Sequence, residues 1–224
     1  LKIIVQITTA ILVLLAFAAL HLPTFYAVEL HVQGHRYALD DELERFSGFV
    51  PGNVFRMNFI AMQRSVVRHP WVDDAFVVWD WPNELTLEIK ERTPHALVSH
   101  GGTWLLVDEQ GYRLPLPRNE PVPVLPIITA VDANDKGRLG RAAASLQAMP
   151  ETLAERVSEY NGQRQLLVME QGTIVRLGDL TDIERKYQVL AAILEDLESG
   201  PEEDTPIPRS IDLRSPTAPV VAFE

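Results

Sequence analysis

Cysteine is absent from all 224 residues, so neither a disulfide framework nor a thiolate metal site can be built. That suits an oxidising compartment. Basic residues are outnumbered, 20 Lys and Arg against 31 Asp and Glu for a net charge of −11, and such a surface repels nucleic acid and anionic lipid headgroups. The usual signatures of chemistry are missing as well: no Gly-x-Ser-x-Gly, no phosphate loop, no dinucleotide fingerprint and no His-Glu-x-x-His. His31 and His35 have the spacing of two ligands on one helical face, but they fall across a strand and its turn, where that geometry fails. Asp40-Asp41 reads as the charge set of a helix start and Asp73-Asp74 as the solvated start of a strand. No nucleophile with its base, no carboxylate pair in a pocket and no metal cluster is legible. No catalytic residue, cofactor, metal or small-molecule substrate is therefore expected.

Charge is also absent from Ile3 to Leu22, IIVQITTAILVLLAFAALHL. About 20 helical residues at ~1.5 Å each cross a ~30 Å hydrocarbon core. Gln6, Thr8, Thr9 and His21 sit near the ends, and Phe25 and Tyr26 follow where an interfacial aromatic belt belongs. Two readings stand. The run is a membrane anchor, which its continuation past Ala18 favours, or a cleaved signal peptide, for which Ala16-Phe17-Ala18 is a small-residue cleavage pattern. Lys2 is the one basic flank in view.

Beyond the anchor, Val28, Leu30 and Val32 alternate with polar residues as a half-buried strand, which Gly34 closes. Leu39, Leu43 and Phe46 then recur at helical spacing behind acidic Asp40, Asp41 and Glu42 in the first turn, where the helix dipole favours them. A second helix starts from Asn58 as N-cap, presents Phe59, Met62 and Val66 on one face and stops before Pro70. Val72 to Trp79 and Leu85 to Ile89 form two strands joined by the turn Trp81-Pro82-Asn83-Glu84. The order is β-α-α-β-β, with two helices covering one face of a small sheet. Trp71, Trp79, Trp81 and Trp104 read as core and sheet-edge aromatics, whereas an exposed tryptophan in this sheet would mark a docking face.

After Pro94 the grammar changes to hairpins: Ala96 to Ser99, Gly101-Gly102, Trp104 to Val107, then Glu109-Gln110-Gly111. The Pro-rich stretch from Leu114 to Pro126 should run extended. A helix fills Lys136 to Met149 with Leu139, Ala142, Ala143 and Leu146 on one face, and a second hairpin pairs Gln165 to Met169 with Thr173 to Leu177. Asp182 to Leu197 is the strongest helix, its stripe of Ile183, Tyr187, Leu190, Ile193, Leu194 and Leu197 facing either its own sheet or a partner groove. An acidic loop from Ser199 to Pro206 follows. Strand character returns with Ile211 to Arg214 and Val220 to Phe223, interrupted by Pro216 and Pro219. Proline removes a ladder donor, so this terminal strand should lie at a sheet edge or contain a bulge, and a free edge is a template for another chain's strand.

The first-domain order, with His69-Pro70-Trp71-Val72, Ala75, Val77, Trp81-Pro82, Leu85, Ile89 and Glu91-Arg92-x-Pro94, resembles the POTRA domain of the bacterial cell division family FtsQ/DivIB. Leu106-Val107-Asp108-x-x-Gly111, Leu125-Pro126, Arg176-Leu177-Gly178 and Asp212-Leu213-Arg214 continue the resemblance in family order to the end of the chain. It implies an α+β protein: a transmembrane anchor over 1–25, a POTRA domain over 26–93 and a C-terminal β-rich domain with flanking helices over 94–224. It also implies a noncatalytic divisome scaffold, single-pass type II in the cell inner membrane with its bulk in the periplasm at the division septum. The implied partners are FtsB and FtsL, joined by strand addition at the C-terminal domain, with FtsK as a further contact of the POTRA domain. Carried over residue by residue, Arg214 meets acidic groups of the partner, Ser215 and Thr217 lie along the pairing backbone, and Phe223 is an aromatic anchor. Ser215 stands where family members often carry an aromatic. The competing local reading puts Arg214 in an ordinary surface salt bridge and Phe223 in the core. The competing function is a POTRA-type periplasmic accessory in outer-membrane protein assembly or secretion.

Overall fold

The computed structural model describes residues 2–199 and 207–223; of the expected acidic loop, 200–206 lie outside them. The chain divides into two compact units, one running to Arg92 and including Pro117–Glu120, the other comprising Thr93–Leu116 and the chain from Pro121 onward.

The first unit opens with α1, Lys2–His21, a helix long and apolar enough to cross a membrane and with no buried residue. A two-residue ladder follows, β1 (Tyr26–Ala27) against β3 (Gly52–Asn53). Among the described residues a three-stranded sheet has the order β2 (Leu30–Gln33), β5 (Glu84–Glu91), β4 (Val72–Asp80), with β2 parallel and β4 antiparallel to β5. Val28, expected on the first strand, is exposed because the chain bends between its pairing at Tyr26–Ala27 and the start of β2 at Leu30. Two helices accompany the sheet, α2 (Asp40–Ser47), whose Leu43 is fully buried, and α3 (Phe59–Val66), which buries Met62 and Val66. Asn58 caps α3 as its sequence position predicts, its side chain accepting from Ala61 N–H.

The family-like motifs of this unit turn out to be joints. His69 is buried with its Nδ1 accepting from Trp71 N–H at 3.3 Å, which leaves Nε2 to donate to Glu42 at 3.3 Å. Trp71 stacks on Tyr37 with 4.6 Å between centroids. The Glu91 carboxylate accepts from Tyr37 N–H (3.0 and 3.1 Å) and Ala38 N–H (2.7 Å), tying the end of β5 to the approach to α2. Asp73 is not solvated as expected: a bulge between Val72 and Asp74 interrupts the ladder, and Asp73 receives Lys90 at 2.9 Å and Arg92 at 3.4 Å.

In the second unit nine strands among the described residues form one sheet, in the order β14-β13-β12-β11-β10-β9-β6-β7-β8. They are β6 (Pro94–His100), β7 (Thr103–Asp108), β8 (Arg113–Leu114), β9 (Ile127–Thr129), β10 (Val157–Asn161), β11 (Leu166–Met169), β12 (Ile174–Arg176), β13 (Ser210–Asp212) and β14 (Val220–Ala222). The pairs β6/β9, β9/β10 and β12/β13 are parallel and the rest antiparallel. Helices α4 (Lys136–Gln147), α5 (Glu151–Ala154) and α6 (Ile183–Glu198) complete the unit. Leu139, Ala143 and Leu146 of α4 and Tyr187, Leu190 and Leu194 of α6 share one core with Val98, Ile128, Tyr160, Leu167, Val175 and Ile211 of the sheet. The apolar stripe of α6 therefore packs on its own sheet.

Asp108 and Gly111 build the turn between β7 and β8. The Asp108 carboxylate accepts from Gln110 N–H and Tyr112 N–H, while Gly111, at φ +79°, lies so close to α4 that an added Cβ would stand 2.2 Å from Lys136 O. Lys186, nearly inaccessible on α6, donates its ammonium protons to Leu177 O (2.8 Å), Asp179 O (2.6 Å) and Asp179 Oδ1 (3.0 Å), satisfying a buried charge with three acceptors.

Replacing Glu91 with Ala strands two amide donors, so chemical denaturation should show a loss of about 1–3 kcal/mol from the first unit. Burial, with Tyr160 adjacent, pushes the Tyr187 phenol well above its usual 10.0. An unfolded Tyr187 thus ionises first, and its contribution to stability is complete below pH 10.0 and drains away above it. Urea titrations across that range should show a shallower alkaline loss for Tyr187→Phe than for the unaltered chain.

Candidate partner-binding edge

The expected terminal strand is two strands. Ile211 and Asp212 belong to β13, which is enclosed between β12 and β14, and only β14 reaches the rim. The parallel register is Ile174 opposite Ser210, Val175 opposite Ile211 and Arg176 opposite Asp212; the antiparallel one sets Ser210 against Ala222, Ile211 against Val221 and Asp212 against Val220. Pro216 and Pro219 occupy the loop between the two strands, so neither removes a donor from a ladder. A turn with Ala218 N–H donating to Ser215 O at 3.1 Å closes that loop.

Alternation assigns the side chains. Val221 packs against the core, Val220 on the opposite face is 62% exposed, and Phe223, one residue past the strand, is 44% exposed. Among the described residues no strand pairs with the outer side of β14. A rim of main-chain donors and acceptors flanked by an exposed valine and phenylalanine is what strand addition requires.

The Asp-Leu-Arg motif has a divided role. Leu213 is fully buried, and its N–H donates to Arg176 O at 2.8 Å. Asp212 and Arg214 form a clasp outside the core: Nε of Arg214 lies 3.0 Å from both carboxylate oxygens and Nη2 2.7 Å from Oδ2. Arg214 N–H adds a bond of 3.1 Å to Oδ1. The hydrogen bonds from Arg214 hold the Asp212 carboxyl below the usual carboxylate range, with the nearby charges of Arg214 and Arg176 adding to the shift. The Arg214 side chain itself stays 69% exposed. Gly178, at φ +68°, makes room for it: a Cβ there would stand 2.9 Å from Arg214 Cγ. The motif around Arg176 and the motif around Arg214, separate in sequence, thus meet on adjacent strands.

Of the four residues expected to meet a partner, Arg214 is engaged within its own chain, Ser215 and Thr217 lie in the loop with their hydroxyls 3.3 Å apart, and Phe223 is exposed just beyond β14. Val220 to Ala222, the actual rim, belong to the segment expected at a sheet edge, although none of the three is among the four expected contact residues. Of the two histidines, His35 pairs with Asp40 and His31 is exposed on β2.

Two family models match this chain. One, FtsQ-type POTRA domain, covers residues 27–92; the other, Cell division protein FtsQ/DivIB, C-terminal, covers residues 96–214. The chain belongs to the FtsQ/DivIB family of cell division proteins. It is 31% identical over 191 residues to Cell division protein FtsQ of Myxococcus fulvus, covering 78% of this chain and 66% of the relative. It is 29% identical over 191 residues to that of Anaeromyxobacter, covering 78% and 64%. The chain spans just under two thirds of these relatives' own length. A solved structure of the major extracytoplasmic domain of DivIB from Geobacillus stearothermophilus overlaps at a TM-score of 0.38 and 18% identity, covering 50% of this chain and 98% of that one. The FtsQ/DivIB match in the C-terminal unit ends at Arg214, before the loop and the rim strand.

Placing a methyl group at position 178 should dislodge the Arg214 stem. In Gly178→Ala the Asp212 carboxyl, followed by NMR, should titrate nearer the ordinary 3.8. Because the folded value lies below that figure in the unaltered chain, the clasp persists above 3.8 and is lost only as pH falls through the lower folded value.

Proposed function

We propose that this chain is a noncatalytic scaffold of the bacterial divisome that binds FtsB, in complex with FtsL, by accepting a strand of FtsB along the outer side of β14. It thereby helps control septum assembly and septal peptidoglycan synthesis. The free rim at Val220–Ala222 carries this reading. Main-chain bonds along β14 supply affinity, Phe223 an apolar anchor, and Arg214 a cationic group whose bond to Asp212 is exchanged for acidic groups of the partner. Ser215 and Thr217 border the pairing backbone at its loop end.

In the same proposal residues 1–25 are the anchor, 26–93 the POTRA domain, which also contacts FtsK, and 94–224 the partner-binding domain. The protein is single-pass, type II, in the cell inner membrane, with its bulk in the periplasm at the septum. An anchor confines scaffold and partner to one surface and raises their effective concentration, so a ladder of three residues can suffice.

Coexpression of the full chain with the FtsB ectodomain should give a captured complex, and Arg214→Glu and Phe223→Ala should each weaken capture about tenfold, or ~1.4 kcal/mol. Hydrogen exchange decides the mode: among Val220 to Phe223, the outward-facing amides, which alternate with those turned toward β13, should become protected in the complex. A complex that forms with those amides unprotected would exclude strand addition, and capture undiminished in both variants would remove the side-chain assignments.

A further inference from the structure

One exposed aromatic cluster in the first unit is not used by the rim of β14. Phe25, just beyond α1, packs edge-on against Phe55 at 5.1 Å and Trp81 at 5.6 Å, and Phe55 in turn meets Trp79 at 5.2 Å. Three separate segments supply these rings: the turn after α1, the turn Val54–Arg56, and the end of β4 with its turn. The cluster is not a closed core, since Trp81 is 71% and Phe55 46% exposed. It is also fastened to the helix. Asn53 Nδ2 donates to Ala19 O at 2.8 Å while its Oδ1 accepts from Phe55 N–H at 3.0 Å, and Asn83 Nδ2 donates to Tyr26 O at 3.2 Å.

Distance then determines what surrounds these rings, given α1 as a membrane span. In that span the helix end lies at the edge of the hydrocarbon, and the headgroup layer on each side is roughly 5–8 Å deep. Phe25 follows Leu22 in a single 3₁₀ turn, a rise of about 2 Å per residue and so ~6 Å in all. Its ring is therefore in the headgroup layer, and the Trp81 ring is one aromatic contact away. Tryptophan and tyrosine favour that layer, where an apolar ring body and a polar edge are both accommodated.

A cation accompanies the aromatics. Arg56 makes no ion pair among the described residues and lines an open cavity of ≈ 520 Å³ with Leu20, His21, Leu22, Tyr26 and Met57, at the last turn of α1. We propose that this end of the POTRA domain is a membrane-seated foot, a proposal that rests on the anchor reading of α1: Phe55 and Trp81 rest in the headgroup layer of the leaflet from which α1 emerges, and Arg56 bonds a phospholipid phosphate in the cavity. Glu84, exposed and in register opposite Asp80 beside Trp81, holds the foot at the polar level and prevents deeper insertion. With a net charge of −11, the protein gains nothing from an anionic bilayer as a whole, so the contact depends on the rings and one phosphate and holds in zwitterionic lipid too.

The lack of cysteine makes the test clean, because each introduced thiol is the sole labelling site. Nitroxide-labelled full chain carrying Leu12→Cys, Arg68→Cys or Asp80→Cys is reconstituted into phosphatidylcholine vesicles and, separately, phosphatidylethanolamine with phosphatidylglycerol. Relaxation by oxygen and by an aqueous nickel chelate then reports depth. Position 12 should be oxygen-rich, and position 68, before the start of the nine-residue β4, should be nickel-accessible. Position 80 should show nickel accessibility several-fold below that at 68 in both lipids, and adding Trp81→Ser with Arg56→Glu should restore it. Water-like values at 80 with a buried label at 12 would overturn the foot while leaving the span intact, and would assign the aromatic cluster to a protein partner. A water-like label at 12 would overturn the span and the foot together. Shielding at 80 that survives the double substitution would overturn the roles of Trp81 and Arg56.

Discussion

One short parallel register, Ile174–Arg176 beside Ser210–Asp212, governs how the distal part of the chain can be used. A parallel neighbour cannot be reached by a tight turn, so the chain crosses over through α6 before returning as β13. That crossover explains why α6 carries a long apolar stripe and why Lys186, buried within it, must be solvated by the carbonyls of Leu177 and Asp179 and paired with the Asp179 carboxylate. The chain then turns back through the loop after Arg214 and adds β14 on the outer side of β13, which makes β14 the rim.

The short motifs that mark the family are in this light joints rather than chemistry. Glu91 ties a strand end to a helix start, Asp108 and Gly111 shape a turn that nearly touches α4, Pro126 O receives Leu97 N–H where β9 begins, and Gly178 accommodates the stem of Arg214. Glu91 and Asp108 work through carboxylates that hold backbone amides, Gly111 and Gly178 through space that a Cβ would fill, and Pro126 through its main-chain carbonyl. The surfaces proposed to meet other molecules, Val220 to Phe223 and the aromatic cluster around Trp81, are made of ordinary apolar residues left uncovered.

Much of the fold was readable because local rules and tertiary packing agree. The charge-free run, the Asn58 cap, the stripes of α4 and α6 and the hairpins around Gly101-Gly102 and Gly172 all occur as their patterns indicate. What stayed hidden was set by partners distant in sequence. Val157 and Tyr160 are both buried on β10 because a bulge breaks the alternation, so no period of two was visible, and β9 is only three residues long behind a proline run. At the candidate site the prolines indicated an edge, and the rim is there, but they sit in the loop because Ser210 and Val220 begin separate strands. That Arg214 is clasped by Asp212 depends on the spacing created by Gly178, which no local pattern encodes.

The position of β5 in the first unit has a mechanical consequence. It is the middle strand of three, and the chain departs toward residue 93 from its end. A pull along β5 loads the ladders to β2 and β4 in shear, so many hydrogen bonds must fail together rather than one after another. Under the proposed function, with α1 held in a bilayer and partners on the distal unit, that load path resists unravelling.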